Sequence, residues 1–322
     1  MPAISASAPG KIILFGEHAV VYGHPAIAVP VTQVQAKAIV TANPRGTPGQ
    51  VRVQAPNIDL DATLEELPQK DPLAAAIRGV LAELGIDRPP ALTIRITSTI
   101  PLAAGLGSGA AVSVAAVRAL SGFLGRPLPD ERVSALAYVV EKIHHGTPSG
   151  IDNTVVTYAR PVYFKRSSEM EGNPQIETLE VAKPFTIVIG DTGIPSPTAV
   201  TVGDVRKALQ AEPMVYKQIF EAVEKIVRAG REAIENGHSE ALGSLMDENQ
   251  TLLREMGVSS AKLDMLVEAA RAAGALGAKL SGGGRGGNMI AITDGEIAAE
   301  VARALEEAGA TRTIITTVDK RR

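Results

Sequence analysis

The sequence predicts an α+β fold divided into two domains, and three observations support this prediction. The chain has 322 residues, more than a single domain usually contains. Patterns typical of strands are concentrated in the first half, whereas helical patterns fill most of residues 198–273. Strands and helices are thus grouped rather than regularly alternated, which is typical of the α+β class. We place the domain boundary near residue 183, which gives predicted domains of residues 1–183 and 184–322.

Strands are predicted wherever short segments alternate between apolar and polar positions or form a compact β-branched run. Residues 28–41 and 92–99 show the alternation, and residues 186–191 form a short apolar run. A last strand is predicted over residues 313–318.

Helices are predicted from the residue types that favour their first and last positions. Asp71 and Pro72 have the residue types preferred at an N-cap and at the first helical position, so a helix should begin there and end near Gly85. Further helical patterns cover residues 108–124, 129–144, 198–273 with breaks near Gly237 and Gly257, and 296–308.

Composition excludes several classes of protein. The formal net charge is −3 and no long basic run occurs, so nucleic acid is not an expected partner. The absence of cysteine excludes disulfide bonds and thiolate catalysis. No apolar stretch approaches the roughly 20 residues that span a bilayer, and the N-terminus lacks the pattern of a secretory signal. We therefore expect a cytoplasmic protein with no membrane partner.

A glycine-rich segment, PLAAGLGSGAAVSV at residues 101–114, stands directly before a predicted helix. Glycines let backbone N–H groups approach a ligand, and a helix N-terminus offers unpaired N–H groups and a positive dipole end. Together these features favour binding of an anion such as phosphate. The alternative is an ordinary turn between a strand and a helix, and the spacing fits neither the Walker A nor the Rossmann pattern.

A second segment, APGKIILFGEHAVVYG at residues 8–23, places Lys11, Glu17 and His18 in an otherwise apolar stretch. Three ionisable side chains in such a segment indicate a functional site. The alternative is that Lys11 is a cation at a strand edge and His18 a core histidine with satisfied hydrogen bonds.

The third segment, EKIHHGTPSGIDN at residues 141–153, joins Glu141 to Asp152 through a tight turn. The adjacent residues His144 and His145 point in different directions on a helix, so they are not expected to bind one metal together. The alternative for Asp152 is a local helix cap.

The fourth segment, KLSGGGRGGN at residues 279–288, contains five glycines and Arg285 in six consecutive positions. Such a loop is entropically unfavourable and is expected where backbone must approach a ligand closely. The alternative is a disordered linker, although apolar strand patterns on both sides oppose it.

The four segments occur in one order along nearly the whole chain, and together they strongly resemble the motifs of the GHMP kinases. APGKIILFGEH resembles the first family motif, PLAAGLGSGAA the phosphate-binding motif and KLSGGGRGGN the third. Within that superfamily, GEHAVVYG and HGTPSGIDN are most similar to the mevalonate kinases. The resemblance implies an N-terminal domain like the second domain of ribosomal protein S5, a ferredoxin-like C-terminal domain and an active site between them.

The resemblance also implies roles for individual residues. Asp152 matches the catalytic aspartate, which acts on the 5-hydroxyl of mevalonate, and Lys11 matches the lysine beside it. Substrate-binding positions are Glu17, His18 and Thr192, and Mg²⁺ ligands are Glu141 and Ser108. The residues implied in ATP binding are Pro101, Ala104, Gly105, Leu106, Gly107, Ser108, Gly109, Ala110, Ala111, Gly283 and Arg285.

Two positions depart from the family pattern. Gly109 stands where the family usually has a second serine that binds Mg²⁺, so only Ser108 offers a hydroxyl. Arg285 stands where the family often has a small residue, and we expect it to contact a phosphate rather than point to solvent.

The expected activity is therefore ATP-dependent phosphorylation of mevalonate with Mg²⁺ as cofactor. The alternatives are a phosphomevalonate kinase or another GHMP small-molecule kinase and, more remotely, a non-catalytic nucleotide-binding sensor, which Gly109 alone favours. A second phosphate on the substrate would require further basic groups, so the motifs favour an uncharged alcohol. Homodimers are common in the family, and the resemblance implies one here.

Overall fold

The computed structural model describes residues 3–101, 104–145, 149–166, 175–196 and 198–320, with the side chains of His144 and His145 outside the description. The described residues form two compact units. Unit 1 draws on the ranges Met1–Gly10, Val34–Pro101 and Gly107–Ala159, and unit 2 on Lys11–Gln33, Leu102–Leu106 and Arg160–Arg322. The chain therefore passes between the units several times. The expected boundary at residue 183 stays a prediction.

Two long strands, β1 (Ala3–Phe15) and β2 (Pro25–Ala42), pair with each other and contribute residues to both units. In unit 1, residues 36–42 of β2 pair antiparallel with β5 (Leu92–Ser98). β5 in turn pairs in parallel with β3 (Val51–Ala55), which pairs antiparallel with β4 (Leu60–Thr63).

Within the described residues of unit 1 there are four α-helices, and they pack against one another. Asp71 caps the first of them, as predicted, because its side chain accepts a hydrogen bond from the Ala74 amide at 2.9 Å. The short fourth helix was not predicted. The four are α1 (Pro72–Glu83), α2 (Ser108–Phe123), α3 (Asp130–His145) and α4 (Ile151–Tyr158).

Unit 2 contains a four-stranded antiparallel sheet with the order β11–β8–β10–β9. Its strands are β8 (Phe185–Asp191), β9 (Gly277–Ser281), β10 (Asn288–Thr293) and β11 (Arg312–Val318). Two short strands that the sequence did not predict, β6 (Val162–Lys165) and β7 (Gln175–Thr178), also lie in this unit. β6 pairs with β7 and with residues 25–28 of β2.

The helices of unit 2 cover the sheet and each other: α7 and α8 pack on β9 and β10, and α9 packs on β8 and β11. The predicted breaks at Gly237 and Gly257 are confirmed. A further break at Glu212 was missed, although Pro213 starts the next helix and cannot continue a preceding one. The helices are α5 (Thr198–Ala211), α6 (Pro213–Asn236), α7 (Ser239–Glu255), α8 (Ala261–Ala272) and α9 (Ala298–Glu307).

The α+β prediction is confirmed, because nearly all strand pairs are antiparallel and the helices follow in groups. Among the described residues, no helix combines the length and the apolar character that crossing a membrane requires.

Helix α7 meets strand β9 at two glycines with no side chains between them. A Cβ atom added at Gly277 would lie 1.9 Å from the carbonyl oxygen of Gly243, and one added at Gly243 would lie 2.3 Å from that of Leu276. This close approach brings the helix against the strand that carries the third motif.

We expect Gly243→Ala to lower the free energy of unfolding by about 1–3 kcal/mol or more, because the methyl group must displace backbone. The control is Gly203→Ala in α5, where an added Cβ meets nothing within 4 Å. That change should raise stability by roughly 0.5–1 kcal/mol, as expected for a helical glycine with room for a methyl group. Urea unfolding measures both, and equal effects would contradict the close approach.

Candidate active site

In unit 1, α2 begins at Ser108, as predicted, and no side chain caps its first turn. Its N-cap, Gly107, has a φ of 71°, a left-handed conformation that glycine adopts without strain. The first N–H groups of a helix have no acceptor within the helix. An uncapped N-terminus of this kind is suited to bind an anion.

Small residues fill the first turn of α2. Ala110 and Ala111 are buried, and Ser108 and Gly109 are half-buried. The Ser113 hydroxyl donates to the carbonyl oxygen of Gly109 at 2.9 Å. Ser108 is therefore the residue of this turn that can offer a hydroxyl to a ligand.

Glu141 and Asp152 also belong to unit 1, on helices α3 and α4, which pack against each other. Glu141 is only 4% exposed. Asp152 is half-buried in the first turn of α4, whose N-cap is Gly150. The alternative that Asp152 is the helix cap is therefore wrong, although a carboxylate in a first turn does interact favourably with the helix dipole.

In unit 2, the first motif contacts the start of the phosphate-binding motif. The backbone amide of Lys11, a buried residue of β1, donates to the Leu106 carbonyl oxygen at 2.9 Å. The Asn288 side-chain amide, at the start of β10, donates to the carbonyl oxygen of Ala104. Motifs that are far apart in sequence thus meet around residues 104–106. Asn288 closes the third motif but was not predicted as a site residue.

Glu17 forms an ion pair with Lys279 of β9, with relative side-chain exposures of 1% and 0%. The Lys279 ammonium also donates to the Leu280 carbonyl oxygen at 2.7 Å. Burial lowers the pKa of Lys279, and the negative charge of Glu17 opposes that shift. Sequence reasoning missed Lys279, although a lysine in an otherwise apolar strand signals a buried partner.

His18 is 5% exposed, and its Nε2 atom lies 3.2 Å from the carbonyl oxygen of Gly283. Burial lowers its pKa to about 4, so the ring is neutral at pH 7. Because a carbonyl oxygen can only accept, Nε2 carries the proton and Nδ1 is an acceptor. Nδ1 is buried and has no hydrogen-bond partner among the described residues. The alternative of a fully satisfied core histidine is therefore wrong.

The glycine-rich loop at residues 282–287 is ordered by hydrogen bonds, so the alternative of a disordered linker is wrong. The Ser196 hydroxyl donates to the Gly284 carbonyl oxygen at 2.9 Å, and the buried Thr192 hydroxyl donates to that of Gly287 at 2.8 Å. The Gly287 amide donates to the Ile194 carbonyl oxygen at 2.7 Å.

Arg285 has a φ of 56°, which is unusual for a residue with a side chain. Its guanidinium group lies 2.6 Å from the carboxylate of Asp204 in α5, and its Nε donates to the Gly257 carbonyl oxygen at 3.3 Å. The hydrogen bond from Arg285 lowers the pKa of Asp204. Asp204 was not predicted as a site residue. The expected contact between Arg285 and a phosphate stays a prediction.

Glu141 and Ser108, the residues expected to bind Mg²⁺, both belong to unit 1. In the part of the chain that the structure describes, no group of three or more histidine or acidic side chains could hold a metal ion. Mg²⁺ is usually held by one or two carboxylates together with substrate phosphates. The buried carboxylate of Glu141 and the hydroxyl of Ser108 fit an ion of that kind.

Comparison with known proteins identifies the class to which this fold and these motifs belong. Two family models match, GHMP kinases N terminal domain over residues 72–160 and GHMP kinases C terminal over residues 231–311. The chain belongs to the GHMP kinase family. A mevalonate kinase of Pyrococcus horikoshii is 37% identical, over 95% of this chain and 93% of its own.

Two solved structures support the same relationship. The crystal structure of L. major mevalonate kinase in complex with R-mevalonate has 33% identity and a TM-score of 0.84, covering 98% of this chain and 96% of that one. The Methanococcus jannaschii mevalonate kinase has 25% identity and a TM-score of 0.83, covering 100% of this chain and 99% of that one. The predicted two-domain GHMP kinase fold is confirmed.

The lowered pKa of His18 predicts a pH-dependent stability. Between about pH 6.5 and pH 4 the unfolded chain binds a proton at this residue and the folded chain does not, so stability falls as pH falls. From pH 7 to pH 5 this contribution amounts to about 2 kcal/mol.

Urea unfolding at a series of pH values should therefore show a shallower loss of stability in His18→Gln than in the parent protein. The matched control is His238→Gln, at an exposed histidine, which should keep the parent slope. A parent-like slope in His18→Gln would contradict the assignment of a neutral, buried imidazole.

Proposed function

We propose that this chain is a mevalonate kinase, which transfers the γ-phosphoryl group of ATP to the 5-hydroxyl of (R)-mevalonate and releases 5-phosphomevalonate and ADP. The observation that carries the proposal is similarity over nearly the whole chain to a mevalonate kinase whose crystal structure contains R-mevalonate. The membership of the GHMP kinase family and the retained Lys11, Glu141 and Asp152 agree with it.

Phosphoryl transfer depends mainly on positioning and on stabilisation of charge. The uncapped first turn of α2 supports a role in binding the ATP phosphates through backbone N–H groups. The other residues proposed to bind ATP are those that the family motifs imply, namely Pro101, Ala104, Gly105, Leu106, Gly107, Gly109, Ala110, Ala111, Gly283 and Arg285.

Asp152 orients the 5-hydroxyl and accepts its proton, and Lys11 stabilises the negative charge on the transferring group. Glu141 and Ser108 would hold Mg²⁺, and the ion would supply positive charge to balance that of the nucleotide phosphates. With Gly109 in place of a serine, Ser108 is the hydroxyl that the first turn of α2 contributes.

In the substrate pocket, His18 accepts a hydrogen bond from a hydroxyl of mevalonate. The single N–H group of the neutral ring donates to the Gly283 carbonyl oxygen, so His18 cannot also donate to the substrate carboxylate. Thr192 supports the pocket through the loop, because its hydroxyl donates to Gly287.

Two charges of the third motif are already neutralised inside unit 2. Lys279 pairs with Glu17, and Arg285 pairs with Asp204. The buried pair leaves Lys279 unavailable to a phosphorylated acceptor, which would require basic groups, and this supports mevalonate over phosphomevalonate. A homodimer and a cytoplasmic location stay predictions from the resemblance and the composition.

The direct test measures ADP release by the purified protein with Mg²⁺-ATP and, in parallel, mevalonate, phosphomevalonate, homoserine or galactose. We expect turnover with mevalonate alone. Turnover with another acceptor would replace the substrate assignment. Binding of ATP without turnover on any acceptor would favour the nucleotide-binding sensor.

We expect Asp152→Asn to lower kcat with mevalonate by about 100-fold or more, the usual contribution of a general base, while ATP binding is retained. The matched control is Asp130→Asn, because Asp130 also lies in the first turn of a helix and pairs with Arg118. A kcat close to that of the parent in Asp152→Asn would refute the assignment.

We expect Glu141→Gln to raise the Mg²⁺ concentration for half-maximal rate by about tenfold. Substitution of a residue that only supports a metal ligand typically lowers metal affinity by about 10- to 100-fold, and loss of a direct carboxylate ligand should lower it at least as much. Glu131→Gln, an exposed position on the same helix, is the control. An unchanged Mg²⁺ titration in Glu141→Gln would remove this residue from the ligand set.

A further inference from the structure

The segment that carries Glu17 and His18 contains a strained turn. His18 has φ 61° and ψ −50°, and the Ala19 amide donates to the Glu17 carbonyl oxygen at 2.7 Å. This combination is a classic γ-turn, which is rare and strained in proteins. Such a conformation persists only where the surrounding structure holds it in place.

The backbone before the turn is held by close packing. Gly16 has a φ of 101°, and a Cβ atom added there would lie 2.5 Å from the Cα atom of Ala26 in β2. The backbone of Gly16 is therefore held by direct contact with the backbone of β2. The side chains of Glu17 and His18 must be fixed by other contacts.

One face of β9 and of the loop after it supplies those contacts. Lys279 pairs with Glu17, the Ser281 hydroxyl donates to the Ile13 carbonyl oxygen at 2.7 Å, and the Gly283 carbonyl oxygen faces His18 Nε2. Residues 279 and 281 are two positions apart in β9, the spacing of side chains on one face of a strand, and Gly283 follows in the loop.

The buried ion pair is not explained by stability alone. Removing two charges from water is costly, and apolar replacements of such pairs are often neutral or stabilising. The Lys279 side chain is 0% exposed, and its ammonium donates to Glu17 and to the Leu280 carbonyl oxygen. The ammonium thus fixes the direction of the Glu17 carboxylate at the start of the turn.

We propose that Lys279 is a positioning residue: through its ion pair with Glu17 it holds the strained turn that presents His18 to the acceptor substrate. This inference rests on the proposed function, because the acceptor is taken to be mevalonate. Lys279 acts on the acceptor and not on the nucleotide, since its contacts end at Glu17 and Leu280.

A double-mutant cycle of Lys279→Met, Glu17→Gln and the double variant tests the proposal. Each should raise KM for mevalonate by about tenfold and leave KM for ATP within about twofold. The double variant should resemble either single variant, because two residues that act through one contact are not additive. The double variant also removes both charges, so it is expected to fold if a lone buried charge prevents a single variant from folding.

The control removes the charges of a different ion pair, which contacts Ala278, the residue of β9 next to Lys279. Asp247 pairs with Arg271 at 2.6 Å, and its carboxylate accepts from the Ala278 amide at 2.9 Å. The variant Asp247→Asn/Arg271→Met should keep the parent KM for mevalonate. Equal increases in the control and the test variants would indicate a general effect on β9 and overturn the proposal, as would a parent-like KM in the double variant.

Nuclear magnetic resonance of the His18 ring separates this inference from the proposed function. The parent should show a neutral ring protonated at Nε2 with a pKa near 4, whether or not mevalonate is the substrate. In the double variant of Lys279 and Glu17 the pKa should rise toward the ordinary value of about 6.5 as the turn relaxes. An unchanged His18 titration would overturn the positioning role even in an active kinase.

Discussion

The ion pair between Glu17 and Lys279 is the constraint on which unit 2 depends. A charge inside a protein requires a partner, so the segment after β1 and strand β9 must meet although 262 residues separate the two side chains. The alternation of β9 places Ser281 against the same segment, and the loop after β9 brings the Gly283 carbonyl oxygen to His18. His18 and the glycine-rich loop lie beside this contact.

Much of the fold could be predicted because it depends on local signals. The start of α2 at Ser108 follows from the glycines before it, and the cap at Asp71 from its own side chain. The short strands β3, β4, β6 and β7 could not be predicted, since four or five residues carry too little periodicity and depend on pairing with distant strands. Lys279 and Asp204 were missed for the same physical reason: each is defined by a partner that is remote in the chain.

The glycine-rich loop combines conformational freedom with fixed anchors. Glycines allow its close turns, yet hydrogen bonds from Ser196 and Thr192 hold its carbonyl oxygens. Arg285, which departs from the family pattern, adopts a left-handed conformation that a side chain disfavours. Its ion pair with Asp204 connects the loop to α5. Arg285, where the family often has a small residue, is thus accompanied by a specific partner, Asp204.

The interleaved course of the chain has a consequence for biosynthesis. Unit 2 requires residues 11–33, but its sheet is complete only when β11 (Arg312–Val318) has been added. The first motif therefore leaves the ribosome long before the strands that will bury Glu17 and its neighbours. Contacts so distant in sequence form late. Until they form, the apolar segment IILF at residues 12–15 is exposed and can associate with other chains. The interleaved course of the chain thus sets how long before its partners this segment is synthesised.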